Sequence, residues 1–200
     1  MAQGERSSGP QAADLLTQAV QAFRAALEVQ TKADDPQYWA NTQNDLGIAL
    51  QDQGLHSSGT QATDLLAQSV QAYRAALEVR TRAELPQDWA ATQNNLGNAL
   101  GDQADRSSGK RATELFAQAV EAFRAALQVQ TKADLPQDWA LAETNLAIVL
   151  VNQGEQTSGP RATELFAQAV QAYRAALEVR TKADVPQDWA MNENNLGIAL

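Results

Sequence analysis

The sequence predicts an all-α protein, an α-solenoid of stacked helix pairs, and three observations support this prediction. The 200 residues repeat with a period of 50 residues, so the chain holds four copies of one unit. Apolar residues recur within each unit at helical spacing, and proline stands at a fixed place in each copy. A constant period of this length is typical of arrays in which each unit packs on its neighbours.

The repeats divide the chain into four units, each with two helices. The units are in phase with residues 1–50, 51–100, 101–150 and 151–200, and we interpret residues 1–200 as a single repeat array. Within each unit a helix B comes first and a helix A follows. The sequence therefore predicts eight helices in the order B, A, B, A, B, A, B, A.

Helix A is predicted to begin at a proline, because the first helical position needs no N–H donor. This proline recurs at Pro36, Pro86, Pro136 and Pro186. An acidic residue follows in the first turn of three copies, where it complements the helix dipole. Trp89, Leu96 and Leu100 then lie at i, i+7 and i+11, which is one stripe. The helix is expected to end near Gln53, Gln103 and Gln153.

Helix B is predicted to follow the Ser-Ser-Gly or Thr-Ser-Gly loop that recurs at Ser7, Ser57, Ser107 and Thr157. Its apolar stripe is Leu66, Val70, Tyr73 and Leu77 in the second unit, with equivalents in the other three. Its end is expected around residues 31–33, 81–83, 131–133 and 181–183. The tryptophans share the leucine stripe of helix A, which predicts a place in the core between units for Trp39, Trp89, Trp139 and Trp189.

The motifs of both helices resemble the tetratricopeptide repeat. Leu96-Gly97 with Leu100 matches the family's helix A, and Ala119, Phe123 and Ala126 match its helix B. This resemblance covers the whole chain and implies antiparallel helix pairs coiled as a right-handed superhelix. Two features depart from the family: its usual period is about 34 residues, and its early tryptophan lies one helical turn further downstream. The long unit resembles bacterial arrays associated with CHAT protease or NTPase signalling proteins.

Composition excludes several functional classes. The 15 basic and 24 acidic residues give a net charge of −9, whereas a general nucleic-acid binder needs a basic surface. No apolar run is long enough to span a membrane, and the N-terminus lacks a secretion signal, so a cytoplasmic protein is expected. The only histidine, His56, has no partner for a catalytic triad or a metal site. We predict no enzymatic activity, no cofactor and no metal.

The units differ most along one face of helix A. The variable positions have the spacing 41, 44, 48, 51, which places them on one side of a helix. The resemblance implies that these positions line the concave groove in which the family binds peptides. Drift of an exposed surface is the alternative explanation. The predicted groove residues are Asn41, Asn44, Ile48, Gln51, Ala91, Asn94, Asn98, Leu141, Thr144, Ile148, Val151, Met191, Asn194 and Ile198.

The sequence thus favours a non-catalytic scaffold that binds a peptide or helix of a partner protein. Asparagines at positions 44, 94 and 194 are expected to hold the partner's backbone, since an amide both donates and accepts. The basic residues with which some relatives bind a terminal carboxylate are missing, so an acidic tail is a poor candidate. One alternative is that the chain is a sensor arm of a larger signalling protease or NTPase.

The two ends of the array predict another alternative to the peptide-binding scaffold, which is head-to-tail self-assembly into filaments. The first helix B has no helix A before it, and the last helix A has no helix B after it. The two uncovered faces differ and complement each other, which gives a heterologous contact between copies. The residues predicted for this contact are Leu16, Val20, Phe23, Trp189, Leu196 and Leu200.

Overall fold

The computed structural model describes residues 10–200, with side chains from Ala13 onward, and it confirms the all-α class. The Ser-Ser-Gly copy at Ser7 lies outside the described residues. Eight helices are present within the described range. They are α1 (Pro10–Val29), α2 (Pro36–Leu55), α3 (Gly59–Leu77), α4 (Pro86–Asp105), α5 (Gly109–Leu127), α6 (Pro136–Glu155), α7 (Pro160–Leu177) and α8 (Pro186–Ala199).

The predicted helix starts are confirmed. The A helices α2, α4, α6 and α8 all begin at their prolines. The Asp35 carboxylate caps α2, accepting a hydrogen bond from the Tyr38 backbone N–H at 3.0 Å. The backbone conformation explains why glycine recurs in the Ser-Gly loops. The φ angles of Gly59, Gly109 and Gly159 are 60°, 59° and 69°. Glycine adopts this left-handed conformation without strain.

The ends of the B helices differ from the predictions, whereas α2, α4 and α6 end within two residues of the predicted positions. Helices α3, α5 and α7 end at Leu77, Leu127 and Leu177, several residues early. The chain tightens there into i→i+3 turns, in which the Glu78 N–H donates to the Ala75 carbonyl at 3.1 Å. The A helices instead run past their glutamines to Leu55, Asp105 and Glu155. The Leu66 side chain packs directly on Gly54 in the last turn of α2.

The described part of the chain divides into two compact units, the first ending at Thr81 and the second spanning Arg82–Leu200. In the first unit α2 packs on both α1 and α3. The α2–α3 pair is antiparallel, since Gly47 in the middle of α2 lies against Tyr73 late in α3, and Gly54 lies against Leu66 early in α3. Val20 of α1 belongs to the core that includes Leu46, Leu50, Leu65 and Ala72.

In the second unit the chain packs in the order α4–α5, α5–α6, α6–α7 and α7–α8. The A helices also contact one another, α4 with α6 and α6 with α8, so they lie side by side. The core combines alanines and leucines of the A helices with alanines and aromatic residues of the B helices. Phe116, Phe123 and Tyr173 are each at most 2% exposed.

The prediction that the tryptophans belong to the core is wrong, because all four are only half-buried. A cation from the turn before each A helix lies over each indole ring, within the range of a cation–π contact. The separations from ring centroid to cation are 5.6 Å for Trp39 and Lys32, 6.0 Å for Trp89 and Arg82, 5.7 Å for Trp139 and Lys132, and 5.2 Å for Trp189 and Lys182. The tryptophans therefore join the turns to the A helices at the edge of the core.

Phe123→Ala is predicted to lower the free energy of unfolding by about 3–5 kcal/mol, because its ring is fully buried and leaves a cavity between α4 and α5. The matched variant is Phe166→Ala in the same compact unit, whose ring is half-buried. It should lose less than half as much. Urea unfolding followed by circular dichroism measures both, and equal losses would contradict the packing described here.

Candidate functional site

The predicted groove residues separate into an outward and an inward set. Positions 41 and 48 of the repeat face outward, whereas position 44 turns inward in the first three copies. The exposed residues are Asn41 and Ile48 in the first compact unit, and Ala91, Leu141, Met191, Asn194 and Ile198 in the second. The half-buried residues are Gln51, Asn98 and Ile148. The buried residues are Asn44, Asn94, Thr144 and Val151.

The inward set joins helices to their neighbours. The Asn94 amide donates to the Gln130 side-chain oxygen at 2.5 Å. The Thr144 hydroxyl lies 3.0 Å from the Asn192 Oδ1, which joins α6 to α8. The expectation that the asparagines at positions 44 and 94 hold a partner's backbone is therefore wrong, since Asn44 and Asn94 are only 8% and 7% exposed. Asn194 is exposed and retains this expected role.

Two cavities lie beside the A helices of the second compact unit, and Ile198 of the outward set lines the larger one. The larger, about 250 Å³, lies between α6 and α8. The smaller, about 60 Å³, lies between α4 and α6. The two cavities share Ile148 and Asn152. The other residues lining the larger are Val151, Glu155, Tyr173, Asn195 and Ile198, and those lining the smaller are Asn98, Gly101, Asp102, Asp105, Asn145 and Val149.

The floor of the larger cavity is formed by Tyr173. Burial raises the pKa of its hydroxyl to about 12, although its hydrogen bond with Asn195 acts in the opposite direction. The equivalent Tyr73 donates instead to Gln51 on its own helix pair, at 3.1 Å. Val151 takes the place of that glutamine in α6, so Tyr173 bonds to α8. Its hydroxyl is a neutral hydrogen-bonding group at physiological pH.

The C-terminal ends of α4 and α6 make one edge of this site acidic. Asn152 donates from its amide to both carboxylate oxygens of Asp105, at 2.9 and 3.1 Å. Partial burial raises the pKa of Asp105, the Asn152 hydrogen bonds lower it, nearby Glu155 raises it, and Arg106 lowers it. The net shift is upward, so the folded protein disfavours this negative charge.

Sequence reasoning missed a buried polar position just after each helix B. Arg80 donates to the Asn41 side-chain oxygen at 2.7 Å, and Gln130 accepts from Asn94. Arg180 forms an ion pair of 3.8 Å with Asp188 on α8. The signal was present in the sequence, because arginine and glutamine alternate here on the 50-residue period. These side chains connect each turn to its A helices.

The residues predicted for an end-to-end contact are not equally accessible. Val20 is 4% exposed because α2 covers it, so its assignment to an uncovered face is wrong. The described surface does include Leu200, which is 80% exposed, and parts of the half-buried Leu16, Phe23, Trp189 and Leu196.

The last A helix has an uncovered face. Ala40, Ala90 and Ala140 are 0% exposed in α2, α4 and α6. Their counterpart Ala190 in α8 is exposed, and no atom lies within 4 Å of a Cβ built on Gly197. This face corresponds to the face of the other A helices that an aromatic residue of helix B covers.

Neither a membrane-spanning helix nor a cluster of potential metal ligands occurs among residues 10–200. No protein-family model matches this chain, and no curated protein is significantly similar to it in sequence.

Asp105→Asn is predicted to raise the free energy of unfolding at neutral pH. The pKa of Asp105 is higher in the folded state than its ordinary value of 3.8. The folded state therefore binds more protons between the two pKa values, and the contribution of this group to stability falls as the pH rises through that window. The difference between wild type and variant should vanish below about pH 3.8.

The matched control is Asp138→Asn, which removes the same charge from the first turn of α6. That carboxylate complements the positive end of the helix dipole, so its loss should destabilise by about 0.3–1 kcal/mol. Urea unfolding at several pH values measures both variants. A loss of stability at neutral pH for Asp105→Asn would contradict the pKa shift.

Proposed function

We propose that this chain is a non-catalytic, tetratricopeptide-like scaffold that binds a peptide or helix of a partner protein on the face of its A helices. The observation that supports this proposal is the pair of adjacent cavities in the second compact unit, whose apolar lining includes Ile148 and the exposed Ile198. Leu141, Met191 and Ile198 are 42%, 45% and 60% exposed on neighbouring A helices. Clustered exposed apolar residues usually mark an interaction surface.

The side chains of this face suit a peptide. Ile148 and Ile198 offer apolar contact inside the larger cavity, and Asn195 and the Tyr173 hydroxyl offer polar groups beside it. A few convergent polar groups in an apolar cavity orient a ligand. Asn194, also on α8, is exposed, whereas the equivalent Asn94 is buried and bonded to Gln130.

Leu141→Asp combined with Ile148→Asp is predicted to abolish peptide binding. The immobilised wild type is used to select from a library of random short peptides displayed on phage, and the selected peptides are then measured on the variant by fluorescence anisotropy. Both changes place charge on the apolar surface, and circular dichroism should show unchanged helicity because Leu141 is exposed and Ile148 is half-buried.

Leu15→Asp is the matched control, since Leu15 is a 59% exposed leucine on the B helix α1. Peptide binding should survive this change. Selected peptides that bind the double variant as well as the wild type would place the binding surface elsewhere and would contradict the proposal.

A second candidate function is head-to-tail self-association, which the uncovered face of α8 favours. A Cβ built on Gly97 would lie 2.7 Å from the Phe123 ring, whereas the equivalent Gly197 faces open space. Phe23 occupies the repeat position of Phe123 in the first unit and is half-buried. In this arrangement Phe23 of a second copy packs on Gly197, and the contact continues from copy to copy.

Gly197→Glu is predicted to keep the protein monomeric while the wild type associates with rising concentration, because the carboxylate blocks the site of the incoming ring. Ala117→Glu adds the same charge at an exposed position of α5 and should associate as the wild type does. Sedimentation velocity over a range of concentrations measures all three. A wild type that remains monomeric throughout would rule out this candidate.

A further inference from the structure

Among the described helices, lysine and arginine occur only on the B helices, whereas acidic residues occur on both kinds of helix. The A helices α2, α4, α6 and α8 contain no lysine or arginine. The B helices α3, α5 and α7 each carry an arginine in their last turn, at Arg74, Arg124 and Arg174. A net charge of −9 does not require this separation, because acidic and basic residues can alternate on every helix. In the second compact unit, α4, α6 and α8 therefore contribute acidic but no basic side chains to their common face.

The carboxylates lie where the apolar cavities are. Asp102 and Asp105, near the end of α4, line the smaller cavity, and Glu155 at the end of α6 lines the larger. No lysine or arginine lines either one. Arg106 is the neighbouring cation, and it acts on Asp105 from outside both cavities. Apolar and anionic groups therefore border one continuous site around Ile148 and Asn152.

These carboxylates are unfavourable for the helices that carry them. The C-terminus of a helix is the negative end of its dipole, where a cation stabilises and an anion destabilises. Asp105 and Glu155 occupy the last residues of α4 and α6, and they raise each other's energy by repulsion. The B helices of the same chain follow the favourable pattern, with arginine in the last turn. Local rules of helix stability are commonly broken at binding sites.

We propose that the partner segment bound by α4, α6 and α8 is a cationic, amphipathic peptide. Its apolar side chain enters the cavity between α6 and α8 beside Ile148 and Ile198. Its lysine or arginine residues pair with Asp102, Asp105 and Glu155. This inference rests on the proposed function, since it names the chemistry of the partner at the same site.

The chemistry of the site distinguishes this partner from others. Hydrogen bonds between guanidinium or ammonium groups and carboxylates are among the stronger ones in proteins, and arginine can bind a carboxylate through two donors. An acidic peptide places like charges side by side and is rejected. Complementary charge also speeds the encounter between the partners.

The test is a selection from random short peptides displayed on phage, with three forms of the chain as bait. The first is the wild type. The second is the neutralised variant Asp102→Asn, Asp105→Asn and Glu155→Gln. The third is the control variant Asp14→Asn, Glu28→Gln and Glu121→Gln, which changes the net charge equally but at exposed positions of the B helices α1 and α5.

Peptides selected by the wild type and by the control variant should be enriched in lysine and arginine next to apolar residues. Their affinity for the neutralised variant should fall by about tenfold or more, because the variant lacks the carboxylates that pair with the peptide's charges. Their affinity for the wild type should fall as salt rises. Circular dichroism of the neutralised variant should be unchanged, because an asparagine at position 105 still accepts from Asn152.

Two outcomes would overturn this inference in distinguishable ways. If the selected peptides require Leu141 and Ile148 but lack basic residues, or bind the neutralised variant equally well, the partner is not cationic and the proposed function stands. If no selected peptide depends on Leu141 and Ile148, the proposed function fails together with the inference.

Discussion

The structure depends on one repeated contact, in which an aromatic ring of helix B packs on a small residue of helix A. The Tyr73 ring approaches Gly47 so closely that a Cβ there would lie 2.7 Å from its Cε1 atom, and Phe123 packs on Gly97 in the same way. Ala147 and Tyr173, the equivalent residues of the third pair, are both buried. Because the contact joins the middle of one helix to the later part of the next, it sets the antiparallel register of each helix pair.

That register determines which side of each A helix remains accessible. Helix B covers the side with the small residues, and neighbouring A helices of the second compact unit cover part of another side through Thr144 and Asn192. The remaining surface carries Leu141, Met191 and Ile198. The cavities at this surface exist because the A helices α4, α6 and α8 lie side by side without filling the space between them.

The distribution of charge gives the accessible surface its chemical character. Basic residues occupy the B helices and the turns, where Lys32 and Lys132 lie over tryptophan rings and form ion pairs with Glu78 and Glu178. These exposed pairs contribute little to stability individually. Basic residues recur with the 50-residue period in the turns, and the A helices themselves contain no basic residue. Desolvation is the main cause of the raised pKa of Asp105, and repulsion by Glu155 adds to it.

The sequence by itself determined the helices and their order. The 50-residue period, the prolines and the alternation of apolar residues are local properties, and they predicted eight helices and every A-helix start correctly. Only the tertiary structure decided the burial of individual side chains. Helical spacing placed positions 41, 44, 48 and 51 on one face, yet Asn44, Asn94 and Thr144 turn inward while Leu141 and Ile198 face outward. The tryptophans likewise lie at the edge of the core rather than inside it. The physical reason is that periodicity defines directions around one helix axis, whereas burial depends on which neighbouring helices occupy those directions.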